Sequence, residues 1–359
     1  MTIYINGRFL TQKTSGVQRF AREIVCALDR RLSDGGKGVD MHLLTPQGGD
    51  RLPLSAIAQS SVGPLSGHVW EQTSLFAAAR AGALLNLCNS GPVLHRRSLT
   101  VIHDAMIFRT PENFSWKYRL VHQTLGHLLA RRSKIATVSS FSKGELQEVI
   151  GARDVAIIAN SCDHMATIPA DDSVLTRHGL DAQAYLLFVG SPTPNKNIAR
   201  AIEAIDSMGE TAPYFVVVGA AASSVFQAPT AGEGAPARPQ ADRVIFTGRL
   251  SDGEIVSLYR HAGALLFPSL YEGFGIPPLE AMVLGCPVLS SDIVPTREVC
   301  GDAALYFDPL QPQAMVQAIG TVMGDAGLRQ EMIDRGRRRA GQFSWDRSAA
   351  DLLAALAPL

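Results

Sequence analysis

Short apolar runs alternate with longer amphipathic stretches along almost the whole chain. In the first half, strand-like runs fall at residues 3–6, 41–45, 83–88, 99–103, 135–139 and 155–159. In the second half they fall at 185–190, 214–219, 244–248, 264–268, 287–291 and 304–307. The segments 16–31, 143–150, 197–208, 252–261 and 313–323 between them read as helices. Alternation of this kind predicts α/β architecture, with parallel sheets covered by helices on both faces. The halves hold about six strands each, and the polar stretch Pro169-Ala170-Asp171-Asp172-Ser173 lies between them. Two doubly wound, Rossmann-like domains facing across a cleft are therefore expected, an N-terminal one over residues 1–170 and a C-terminal one over residues 171–343. Ser344 can cap a last helix running from Trp345 to about Ala357. Residues 344–359 are expected to pack back on the N-terminal domain. Residues 220–243, rich in Ala, Gly, Pro and Ser, read as a loop.

Composition narrows the class. The 359 residues are 46% hydrophobic and 18% charged, with zero formal net charge. No global field draws the chain to nucleic acid, and none is expected as a partner. Five well-separated cysteines without a C-x-x-C pair argue against a zinc site or a disulfide framework and fit a reducing, cytoplasmic setting. The N-terminus reads as a first strand, not as a secretory leader. No run approaches the ~18 uncharged apolar residues of a membrane-spanning helix.

The candidate chemistry is concentrated in Ser269-Leu270-Tyr271-Glu272-Gly273-Phe274-Gly275-Ile276-Pro277-Pro278-Leu279-Glu280-Ala281-Met282. An apolar run precedes it, glycines permit a sharp turn, and Pro-Pro suits the start of a helix. A strand, a glycine turn and a helix start make a cradle of backbone N–H groups that favours an anion. Glu272 and Glu280, seven residues apart, flank that cradle. A ligand with both phosphate and hydroxyl groups, such as a sugar nucleotide, satisfies this arrangement. A second segment, Gly190-Ser191-Pro192-Thr193-Pro194-Asn195-Lys196-Asn197, follows another strand, and Lys196 at its helix start can neutralise a departing phosphate. No G-x-G-x-x-G is present, which disfavours a nicotinamide site. Paired carboxylates also suit a glycoside hydrolase, and a non-catalytic sugar-nucleotide-binding subunit is the remaining alternative.

The segment from Ser269 through Val288 resembles the signature of the family-4 retaining glycosyltransferases of the GT-B fold, and is similar to that of bacterial polysaccharide mannosyltransferases. The resemblance implies a hexose transfer, with mannose from GDP-mannose or a sugar from a UDP-linked donor. The acceptor would be a glycan or lipid-linked oligosaccharide. The donor is a co-substrate; no cofactor and no metal are implied. It also implies that Glu272 meets donor-sugar hydroxyls, that Gly273, Phe274, Gly275 and Ile276 offer backbone N–H groups, and that Glu280 holds the ribose. Gly190, Ser191, Asn195 and Lys196 would line the phosphate side. The family usually has a second basic residue there, where this chain has Ser191 and Asn195; Arg249 is a candidate substitute, and a surface arginine is the rival reading. Gly16 would approach the diphosphate from the other domain. His103, at a strand end, would contact the transferred sugar or acceptor. Asp104 either shapes the acceptor side, or only orients His103 or caps the following turn. Ser139 is expected to cap a helix. Basic and aromatic residues from Trp116-Lys117-Tyr118-Arg119 to Arg131-Arg132-Ser133-Lys134 form either a solvated helix face or a contact with anionic membrane, at the inner face of the cytoplasmic membrane.

Overall fold

The computed structural model describes residues 2–35, 39–181, 184–219 and 243–359; the loop expected at 220–243 therefore lies, apart from Arg243, outside the described residues. The chain forms two compact units. One holds Met1–Arg109, Trp116–Ser161 and Ser344–Leu359, and the other holds Thr110–Ser115 and Cys162–Phe343.

The first unit is built on seven parallel strands: β1 (Thr2–Asn6), β2 (Asp40–Thr45), β3 (Ala58–Ser61), β4 (Ala83–Asn86), β5 (Ser98–Val101), β6 (Lys134–Thr137) and β7 (Ala156–Ile157). Their order is β3-β2-β1-β4-β5-β6-β7. The apolar runs became strands because helices cover both faces: β4 and β5 are buried at every residue. The strand that the apolar pattern does not show, β3, is the exposed sequence Ala-Gln-Ser-Ser at the sheet edge. A short polar edge strand needs only backbone pairing with β2 and protects the sheet from further pairing.

The second unit has six parallel strands: β8 (Tyr185–Val189), β9 (Tyr214–Val218), β10 (Val244–Gly248), β11 (Ala264–Phe267), β12 (Val288–Ser291) and β13 (Ala304–Phe307), in the order β10-β9-β8-β11-β12-β13. Phe188, Phe215 and Leu266 project from the sheet into a core with Ile202, Ile205, Met315 and Ile319. Each such side chain contributes about 1.5–3 kcal/mol on burial. Both sheets reverse their strand order once, between β1 and β4 and between β8 and β11. Ligands of open parallel sheets sit at the carboxyl ends of strands at such a reversal.

The last helix, Trp345–Leu356, is capped by Ser344, whose hydroxyl accepts from the Arg347 N–H. It lies in the first unit, against the Gly16–Ser33 helix. Trp345 is buried and packs edge-on to Phe20, with centroids 5.8 Å apart, and Arg31 pairs with Asp346 at 2.7 Å. The exposed ion pair adds little, so the ring carries the docking. Trp345→Ala is expected to destabilise the first unit by about 3–5 kcal/mol, seen as a lowered thermal midpoint, whereas Arg31→Ala shifts it by less than a quarter as much.

Candidate active site

In the second unit, the loops leaving β8 and β11 are tied together by asparagines. Asn195 is buried; its Oδ1 accepts from Thr193 Oγ1 at 2.7 Å and its Nδ2 donates to Tyr271 O at 3.2 Å. The Leu270 N–H donates to Asn195 O at 2.7 Å. Asn197 donates to Pro268 O and Pro309 O. The backbones of Gly190 and Gly219 nearly touch: a Cβ on Gly219 would lie 2.1 Å from Gly190 O. Ser191 is exposed beside this crossing.

This brace brings Lys196 and Glu272 into contact, with Nζ 2.6 Å from Oε1 and both side chains largely buried. Lys196 Nζ also lies 5.3 Å from the Phe267 ring centroid, a cation–π distance. The charge suited to a phosphate and the carboxylate suited to a sugar are thus partners in this structure.

The Gly273–Ile276 turn leads into the Ile276–Leu284 helix through Gly275, whose φ of 117° is closed to most other residues. Phe274 is buried edge-on against Phe343, at 5.8 Å and 90°, so its side chain is an anchor and only its backbone faces a ligand role. Pro277 and Pro278 have no N–H. Of the first three helical positions only Ile276 therefore has a backbone N–H. Glu280 Oε2 accepts from Tyr259 OH at 2.8 Å. Tyr259 is fully buried, and burial above all raises its pKa well above the usual phenol range, so it stays a donor. Sequence reasoning missed it: Tyr259 sits in the Asp252–His261 helix, where an aromatic residue reads as core. Arg249 follows β10 at the sheet edge, is exposed, and has no hydrogen-bond or ion-pair partner among the described residues.

Gly16, His103 and Asp104 belong to the first unit. Gly16 opens an 18-residue helix behind a reciprocal Ser15–Gln18 cap. One turn on, Phe20 packs edge-on to the His103 ring, with centroids 4.8 Å apart. His103 Nε2 donates to Leu87 O at 2.9 Å, which leaves Nδ1 as the ring's acceptor. Burial lowers the His103 pKa to about 4, only partly offset by that hydrogen bond, so the ring is neutral near pH 7. Asp104 Oδ1 accepts from the Met106 N–H at 2.9 Å and caps the following turn. Ser139 caps the Ser140–Ile150 helix by accepting from the Ser142 N–H. Among the described residues, no three His, Cys, Asp or Glu side chains converge as a metal site requires.

Two Rossmann-like parallel sheets, each reversing its strand order once, give the chain the GT-B fold. Residues 176–339 match the family described as "Glycosyl transferases group 1". The chain is 31% identical to O-antigen chain mannosyltransferase B of Escherichia coli over 262 residues, covering 70% of this chain and 67% of that protein. It is 30% identical to O-antigen chain mannosyltransferase RfbU of Salmonella typhimurium over 236 residues, 64% of this chain and 62% of that one. HepE of Anabaena, solved with UDP-glucose, superimposes with a TM-score of 0.73 over the full length of both chains at 16% identity, a likeness of fold. The chain belongs to the group 1 glycosyl transferases; it is a glycosyltransferase of the family-4 kind, and the hydrolase reading is set aside.

A buried neutral histidine makes stability depend on pH. In the unfolded chain His103 titrates near the ordinary value of 6.5, and in the folded one near 4. Between those values the unfolded state binds more protons, so stability is complete above about pH 6.5 and declines as pH falls toward 4. His122, also lowered to about 4 chiefly by burial, adds to the same window. The expected result is a thermal midpoint that falls from pH 7 to pH 4.5, and falls less in His103→Gln, which keeps a donor for Leu87.

Proposed function

We propose that this glycosyltransferase moves mannose from GDP-mannose to a growing glycan or lipid-linked oligosaccharide, with retention of anomeric configuration, in polysaccharide assembly. The observation that carries the reading is the Lys196–Glu272 contact at the β8/β11 reversal, one turn of chain from Glu280. A donor diphosphate offers Lys196 a stronger partner than Glu272, which is then released to the sugar hydroxyls. Lys196 and the Gly273–Ile276 N–H groups stabilise the charge that grows on the leaving phosphate. Gly190 and Ser191 border the phosphates, Arg249 supplies a second positive charge, and Glu280, held by Tyr259, takes the ribose hydroxyls.

Retention follows from substitution on the face the diphosphate leaves. The C1–O bond to phosphate breaks, the acceptor oxygen bonds C1 on the same face, and its proton passes to the departing phosphate oxygen. No side-chain base is required. His103, neutral and with Nδ1 as acceptor, orients a hydroxyl without supplying a proton. Support for mannose comes from the relatives named above. The UDP-glucose bound to HepE supports a UDP-linked donor as the second reading.

The test is a donor panel of GDP-mannose, UDP-glucose, UDP-galactose, UDP-N-acetylglucosamine and dTDP-rhamnose, read by thermal shift and nucleotide release. GDP-mannose is expected to raise the midpoint. Glu280→Ala abolishes that shift, and Lys196→Ala lowers turnover about 100- to 1,000-fold. A shift without turnover favours a non-catalytic sugar-nucleotide-binding subunit, and no shift with any donor overturns the reading.

Peripheral membrane contact belongs to the same proposal. The Trp116–Arg132 helix carries no acidic residue. Its exposed face presents Trp116, Leu120, Val121 and Leu128 beside Lys117, Arg131 and Arg132. Apolar side chains set among cations fit an anionic lipid surface better than water. No helix of the described residues is long and apolar enough to cross a membrane. Binding to phosphatidylglycerol vesicles is expected at low salt, weaker at high salt, and lost in the Trp116→Ser, Leu120→Ser variant; equal pelleting with and without vesicles removes this contact.

A further inference from the structure

Lys196 and Glu272 depend on each other alone. Nζ lies 2.6 Å from Oε1, and neither side chain has another hydrogen-bond or ion-pair partner among the described residues. An ammonium carries three donors and a carboxylate two acceptor oxygens, so each group keeps unused capacity.

The backbone beside both residues is fixed. Asn195 precedes Lys196, Tyr271 precedes Glu272, and the Asn195 amide donates to Tyr271 O. The Leu270 N–H donates to Asn195 O, and the Lys196 N–H donates to Thr193 O at 2.9 Å. Asn197, on the other side of Lys196, donates to Pro268 O and Pro309 O. The Lys196 stem runs past Gly190, where a Cβ would stand 3.9 Å from Cε. The two loops are tied together through the neighbours of both charges. The pair therefore opens by rotation of its side chains, not by parting of the loops.

Two ligands with the same diphosphate meet this pair differently. A nucleoside diphosphate takes Lys196 and displaces Glu272. The displaced carboxylate, with 12% of its side chain exposed, then faces phosphate charge without a cation or donor of its own. A largely buried charge left unpaired beside a like charge is strongly disfavoured. A nucleotide sugar makes the same displacement but brings hydroxyl donors for the carboxylate. The contact thus selects by penalising the nucleotide that lacks a sugar. Once the sugar has been transferred, the spent nucleotide is the penalised ligand, and Glu272 returns to Lys196.

We propose that Glu272 separates donor from spent nucleotide, by competing with the diphosphate for Lys196 whenever no sugar occupies its carboxylate. This rests on the donor reading above and gives the same residue a second role, in product release.

The test is isothermal titration calorimetry of GDP and of GDP-mannose, with UDP and UDP-glucose as the second pair. The variant is Glu272→Gln, which keeps the shape of the side chain and removes its charge. The bare nucleotide is expected to bind this variant about tenfold more tightly than wild type, on the scale of a hydrogen bond to a charged group. The nucleotide sugar is expected to gain nothing, so the preference for donor over product falls by the same factor. Glu272→Ala is the second variant, with the same gain expected for the bare nucleotide. Wild-type protein gives a measurement that needs no variant. Free D-mannose is expected to tighten GDP binding, because its hydroxyls can take the displaced carboxylate, and by linkage GDP tightens D-mannose. Unchanged or weaker binding of the bare nucleotide by the folded variants overturns the proposal. So does an equal gain for nucleotide and nucleotide sugar, or a GDP affinity in wild type that D-mannose leaves unaltered. Failure of the donor reading is a different result, in which wild type binds neither member of either pair.

Discussion

A parallel sheet that reverses its strand order must open at the reversal, because the loops leaving the two adjacent strands turn to opposite faces. Helices cannot cover backbone groups in that gap, and water reaches them poorly, so side chains or ligands must satisfy them. Both units meet this constraint with asparagine at the opening. Asn6 and Asn86 bridge β1 and β4, while Asn195 and Asn197 join the loops after β8 and β11. An asparagine amide donates and accepts at once without charge, so it spans two loops at little desolvation cost. The charged groups, Arg8 with Glu71 and Lys196 with Glu272, are then set on a rigid frame.

The two ion pairs differ in a way that matters for function. Glu71 is fully buried and held by several partners; removing Arg8 would leave a buried carboxylate without that counter-charge, a severe penalty. Lys196 and Glu272 share one 2.6 Å contact and keep 18% and 12% of their side chains exposed. Such a pair can exchange partners at lower cost, because both side chains still reach solvent. The first pair is architecture, and the second is suited to turnover.

Strands and caps were legible in the sequence because they depend on local pattern. The apolar runs at β8, β9, β11 and β12, and the Ser139 and Ser344 caps, need no distant partner to be read. The polar edge strand β3 was not legible, since nothing but its pairing with β2 makes it a strand. The Glu272–Glu280 turn stood out because glycines, prolines and carboxylates crowd one segment. Tyr259 and Glu71 did not. Each is a single residue whose meaning comes from a partner far along the chain, Glu280 in one case and Asn6 in the other. Asn195 was legible as a position but not as a role: its amide joins two loops, which spacing cannot show.

The Pro277-Pro278 pair brings local and distant constraints together. A helix start ordinarily leaves four N–H groups to satisfy. Here two of the first positions have none, so the Ile276–Leu284 helix begins without any side-chain cap and without orphan donors at those sites. The macrodipole still places positive potential at this end, reduced by the two missing N–H groups that would carry part of it. What remains is a positive potential with few hydrogen-bond donors, beside the turn that Phe274 anchors against Phe343. An anion is attracted by the helix but aligned by the turn. The Glu272 side chain at the head of the turn and the Glu280 side chain on the helix are thereby held in register with it. In the proposed reading, the same segment determines where the charge of a ligand rests and which of its hydroxyls the carboxylates can reach.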